Sequence, residues 1–115
     1  MNNAVDITPG ASPESAPTIE FNIVGYGKFE LPVLGQPGVP LGITTAFGIF
    51  QDAENGNNDS QKLAAWSHLI QSLVDSFPKA SRILARLDGP TVAQVFRRWG
   101  EKSNEYDPSL VSSPL

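Results

Sequence analysis

The chain has no cysteine. Disulfides and thiolate-held metals are therefore excluded, and no compartment follows from that absence. Histidine occurs once, at His68. Nucleophilic catalysis needs a base held near the nucleophile and oriented by a third group, and no acid stands at the spacing that would orient His68. Long apolar runs are missing too. None approaches the ~18–20 residues of a membrane span, and the first residues lack the basic and apolar blocks of a signal peptide. Positive charge is scarce in the first half. Residues 1–60 hold one base, Lys28, against seven acids, whereas residues 61–115 hold seven bases and five acids. With a net charge of −4, the chain is poorly suited to nucleic acid, because affinity for a phosphate backbone comes from clustered Lys and Arg. A soluble protein of the cytoplasm is the expectation.

What is present fits one small domain. The 115 residues include ten Gly and ten Pro, most of them outside the helical half. A core drawn from roughly 80 residues is small, and it favours packing against a partner or a second copy in a homo-oligomer.

Met1–Pro17 carries three prolines and small residues and has almost nothing to bury. It is expected to be a disordered arm. From Thr18 to Val33 the pattern changes. Ile19, Phe21 and Ile23 alternate with polar residues, as do Phe29, Leu31 and Val33 beyond Gly25-Tyr26-Gly27. Alternation of period two around a glycine turn predicts a β-hairpin over 18–33. Gly25-x-Gly27 lacks the third glycine and the helix start of a nucleotide loop. Leu34–Leu41 is a Pro/Gly connector. A short helix is expected from about Gly42 to Gln51, with Ile43, Phe47 and Phe50 on one face, followed by a loop at Asn55–Asn58.

The longest periodic stretch runs from Asp59 to Phe77. Leu63, Trp66, Ile70, Leu73, Val74 and Phe77 fall three and four apart, which predicts a helix with this stripe toward the core. Asp59 or Ser60 is the expected cap and Pro78 the expected stop. A further helix follows, with Ala80, Ile83, Leu84 and Leu87 apolar, and Asp88-Gly89-Pro90 breaks it. A last helix carries Val92, Val95, Phe96 and Trp99 and is expected to fray at 100–103. Residues 104–115 read as a flexible tail. The fold class is therefore mainly α (α+β): three to four helices and an N-terminal hairpin in a single domain over 18–103, the helical part covering 42–103.

Chemistry is hard to find. Asp52, Glu54 and Asp59 form an acidic loop without the alternating oxygen ligands and closing Glu of a calcium site. Arg97-Arg98 with Lys102, extended by Arg82 and Arg86, has the look of a nucleic-acid patch. Cations near a helix C-terminus are also simply favoured by the dipole. Trp66 and Trp99 lie on apolar stripes, where core is the simplest place, although Trp and Arg are also common interface anchors. No catalytic residue, cofactor or metal is expected, so the chain is read as a non-enzymatic binding module. The partner contacts are assigned to Ile83, Leu87, Phe96 and Trp99, with Arg97 and Arg98 at the rim.

The order of parts brings a family to mind. The segment Phe29-Glu30-Leu31-Pro32 ends the hairpin, a Pro/Gly connector follows, and Val95-Phe96-Arg97-Arg98-Trp99 closes the helical part, with Glu101 and Ser103 after it. This resembles the small tail assembly chaperones of long-tailed, siphovirus-type phages and prophages of actinobacteria. In those, a strand segment ending in an ELP-type sequence precedes a helical domain that closes on a Trp-bearing helix. The likeness spans about residues 18–108. It implies a chaperone that binds the tape-measure protein in the host cytoplasm and keeps it soluble during tail formation. It also implies a longer, frameshifted form of the chain as a second partner. Two other readings stay open: a structural virion subunit such as a head–tail connector or tail tube component, and a DNA-associated regulator using the Arg97-Arg98 helix.

Overall fold

The computed structural model describes residues 4–11 and 13–106. Of the expected arm, residues 1–3 and 12 lie outside that range, as does 107–115 of the expected tail.

The alternating stretch forms the hairpin. β1 (Thr18–Ile23) pairs antiparallel with β2 (Gly27–Pro32), with Ile19 opposite Leu31 and Phe21 opposite Phe29. One face is apolar. Phe29 and Leu31 are buried there, and the Phe21 and Phe29 rings stack with centroids 5.6 Å apart. Glu20 and Glu30 face solvent. Gly25 holds φ +88° in the connecting loop, a conformation that glycine adopts without steric cost. The body begins slightly before the expected boundary. Ala16 is buried, and the Pro17 carbonyl accepts a hydrogen bond from the Val33 N–H at 2.8 Å.

Four helices follow: α1 (Leu41–Glu54), α2 (Asp59–Ser72), α3 (Pro78–Leu84) and α4 (Gly89–Glu105). α1 starts directly after Pro40, whose carbonyl accepts from the Ile43 and Thr44 N–H groups. Its buried residues, Ile43, Ala46, Phe47 and Phe50, include the three expected ones.

α2 departs from expectation in three ways. Its cap is Asn58, whose side-chain oxygen accepts from the Gln61 N–H at 3.1 Å; Asp59 falls in the first turn. It ends at Ser72, well before Pro78. Two serine hydroxyls explain the stop. Ser72 Oγ donates to the Leu69 carbonyl at 2.7 Å, and Ser81 Oγ, from α3, donates to the Ile70 carbonyl at 3.2 Å. Carbonyls at a helix end need such partners, and side-chain bonds of this kind compete with helix continuation. Third, the buried face is not the long stripe. Ala65, Leu69 and Leu73 are buried, whereas Leu63 is 58% exposed and Val74 48%. α2 lies against α1, and the small Ala65 on that side lets the two helices approach closely.

α3 is shorter than expected, because the N–H groups of Arg86 and Leu87 bond three residues back, to Ile83 and Leu84. α4 is longer. Gly100 does not fray it, since a Cβ there would stand 2.9 Å from Phe47 Cζ: the glycine is a packing position. Two residues of the expected tail, Asn104 and Glu105, are helical. Ser103 is buried, and its Oγ accepts from the Leu34 N–H at 3.0 Å.

The core is aromatic at its centre. Phe47 meets Trp99 edge-on at 5.2 Å, and Phe50 meets Phe96 edge-on at 5.4 Å. Around them sit Leu31, Ile43, Leu69, Leu73 and Leu84. The fold is a small, mainly α domain with a β-hairpin at its front, β2 resting against α3 and β1 beside α4.

Candidate partner-binding groove

The six residues assigned to partner contact are dispersed by the fold. Phe96 and Trp99 are completely buried and Ile83 nearly so. A partner docking on the folded chain cannot reach these three, and for Trp99 core prevails over anchor. The reason is that α4 is enclosed by α1, α2 and the hairpin together, which covers its whole apolar face. Leu87 is half-buried and stays accessible. Arg97 reaches back to Glu54 of α1 at 2.8 Å, and Arg98 pairs with Glu101 on its own helix at 2.9 Å. The two arginines therefore do not share a rim. Lys102 has Glu105 at 3.6 Å, so each of these three α4 cations has a carboxylate neighbour. Arg86 lies over the Tyr26 ring, 5.6 Å from its centroid.

The accessible apolar surface is elsewhere. Leu63, Trp66, Ile70 and Val74 follow one face of α2 and the turn after it, and this is the stripe that the packing with α1 leaves outside. It runs about 16 Å at 1.5 Å per residue. Leu63, Trp66 and Ile70 form one wall of a groove, and Leu84, Leu87 and Val92 from the α3–α4 junction form the other. The cavity is about 220 Å³, and none of its lining residues is charged.

Trp66 is the centre of this groove. Its ring packs on the first residue of α4: a Cβ at Gly89 would stand 2.7 Å from Trp66 Cζ3. The indole Nε1 is buried and has no hydrogen-bond acceptor among the described residues. An unpaired buried donor costs about 1–3 kcal/mol, so it marks a place where the folded chain alone is not fully satisfied. Next to Gly89, Asp88 accepts from the Thr91 hydroxyl at 2.6 Å, and that bond holds its carboxyl below the ordinary value.

Sequence reasoning picked out Leu63, Ile70 and Val74 but placed them in the core. The signal for the other outcome was the second apolar series on the same helix, Ala65, Leu69 and Leu73, one position away. The remaining sites offer little chemistry. His68 is exposed, and among the described residues no group of three or more His, Cys, Asp or Glu is placed to hold a metal ion. No helix among the described residues is long and apolar enough to cross a membrane. No protein-family model matches the chain, and no curated protein or solved structure shows significant similarity to it.

Proposed function

We propose that this chain is a non-enzymatic tail assembly chaperone, which binds amphipathic helices of a tape-measure protein and keeps that long chain soluble in the host cytoplasm. The observation that carries the reading is the uncharged groove along α2, with Leu63 and Val74 open to solvent at its margin. An apolar face of this length suits the i, i+3, i+4, i+7 anchors of a helix laid in a groove. A bound chain that offers an acceptor near Trp66 Nε1 would also satisfy the one buried donor left over there. The order of hairpin, connector and Trp-bearing last helix, which the chain shares in its sequence with phage tail chaperones, supplies the partner's identity. A longer, frameshifted form of the chain would present the same groove.

The test is co-expression with a long, helix-rich tape-measure candidate from the same genome, followed by solubility and pull-down assays. The expected result is a soluble, co-purifying long chain with the wild type. With Leu63→Asp/Val74→Asp it should return to the pellet, because these two exposed positions change the groove margin and not the core. If the long chain stays insoluble while this protein runs alone as a closed ring, the chaperone reading fails and a connector or tube subunit replaces it. Binding to duplex DNA that falls steeply with salt would instead support the regulator reading.

A further inference from the structure

The sheet has two strands only, so β1 has an outer edge along which no described strand lies. The register fixes what that edge displays. Pro32, which has no N–H, faces Thr18, and the neighbouring Val33 N–H bonds the Pro17 carbonyl. In an antiparallel ladder, hydrogen-bonded and non-hydrogen-bonded pairs alternate. The backbone groups of Ile19, Phe21 and Ile23 therefore turn toward β2, and those of Thr18, Glu20 and Asn22 turn outward. Beside the edge is a groove of about 530 Å³ between β1 and α4. Ile19, Phe21 and Ile23, all half-buried, line it together with Val95, and Arg98 and Lys102 stand on its α4 side. An unpaired edge over an apolar floor is a template for a third strand.

The same chain carries a segment that fits. Val5 and Ile7 are each 83% exposed, the spacing of two that puts both on one face of an extended strand. That spacing matches Ile19, Phe21 and Ile23 along the floor. The charge between them is Asp6, residues 1–17 hold no base, and the groove's α4 side is cationic. In its own molecule the segment stands clear of the groove, separated from β1 by Pro9 and by the 3-10 turn Pro13–Ser15. Each copy thus displays an uncovered strand and an uncovered strand acceptor.

We infer that two copies of this chain exchange these parts. The Ala4–Thr8 segment of one copy lies along the β1 edge of the other, with Val5 and Ile7 over the Ile19–Ile23 floor, and the reciprocal exchange closes a two-fold dimer. The occupant is a second copy of this chain, and the contact is independent of the α2 groove.

The absence of cysteine makes the test direct. Full-length Asp6→Cys chains are mixed with full-length Glu20→Cys chains and oxidised gently, both sites being exposed. The expected product is the mixed disulfide dimer, in yield well above a control pairing of Asp6→Cys with Lys79→Cys. Light scattering of the wild type across a concentration series should show a monomer–dimer equilibrium. Val5→Asp/Ile7→Asp should weaken it at least about tenfold, with an unchanged circular dichroism spectrum. Arg98→Glu/Lys102→Glu gives a second, groove-side variant expected to weaken it in the same direction. A wild type that stays monomeric overturns the inference. So does a dimer indifferent to both variants. A double Asp6→Cys/Glu20→Cys chain that closes only on itself, as a monomer, also overturns it by showing that each segment fills its own groove.

Discussion

The indole Nε1 of Trp99 donates to the carbonyl oxygen of Pro32 at 2.7 Å, and both residues are fully buried. This one bond ties the end of the hairpin to the middle of the last helix. It joins the two sequence segments on which the family resemblance rests, Phe29–Pro32 and Val95–Trp99. Pro32 has no N–H to offer, and its carbonyl sits where the chain leaves the sheet for the connector. Without Trp99 that acceptor would be buried and empty.

Trp99→Phe keeps an aromatic ring in the Phe47/Phe96 cluster but removes the donor and leaves a void. The expected loss of stability is about 2–4 kcal/mol, from the unsatisfied carbonyl and the cavity together. Urea unfolding measures it; a change below about 0.5 kcal/mol would mean that the carbonyl finds another partner.

Two helix glycines should respond with opposite sign to alanine. Gly48 in α1 has open space where a Cβ would go. Gly48→Ala should stabilise by up to about 1 kcal/mol through helix propensity. Gly100→Ala places its Cβ 2.9 Å from Phe47 Cζ inside the aromatic core, so it should destabilise by about 1–3 kcal/mol despite the same propensity gain. Thermal melts of the two variants side by side decide this.

Leu63 and Leu69 belong to one helix and differ in burial, 58% against 0% exposed. Leu63→Gln should leave stability within about 0.5 kcal/mol. Leu69→Ala should cost about 2–5 kcal/mol. Equal effects at the two positions would mean that α2 is turned differently about its axis.

The Arg97–Glu54 pair is short, but the arginine side chain is 54% exposed. A double-mutant cycle with alanine at both positions should give a coupling below about 1 kcal/mol, shrinking further in 1 M salt. A coupling of several kcal/mol that ignores salt would contradict the exposure of the pair.

Asp88 gives the acid-side prediction. The Thr91 hydroxyl lowers its folded-state value from the ordinary 3.8. The resulting stabilisation is fully present above the unfolded value and is lost as the pH falls through the folded one. Asp88→Asn should therefore be less stable than the wild type at neutral pH, and the gap should close as the pH is lowered through the carboxylate range. Thr91→Val should remove the same pH dependence. Unfolding midpoints across an acid series are the measurement, and a gap that widens on acidification would reverse the assigned sign.

Local pattern carried much of this protein. Alternation in Thr18–Val33 identified the hairpin and its apolar face, because side-chain direction in a strand depends only on parity. The 3.6-residue periodicity, with Asp88-Gly89-Pro90 as punctuation, marked where helices lie and in which order. It did not choose between the two overlapping stripes on α2. Leu63, Trp66, Ile70 and Val74 are the larger set, yet Ala65, Leu69 and Leu73 are the buried one. Hydrophobicity records which residues avoid water, but closeness of approach to α1 selected the face with the small residue, and the bulkier stripe became a groove wall. The helix ends show the same division. Ser72 and Gly100 have fixed local propensities, but α2 stops where Ser81 from another helix accepts its role at the Ile70 carbonyl, and α4 continues because Phe47 fills the space over Gly100. The sequence by itself determined elements, order and strand parity, all of which depend on near neighbours. Burial of Trp99, exposure of Leu63 and the open edge of β1 were decided by tertiary packing, because each depends on residues far away in the chain.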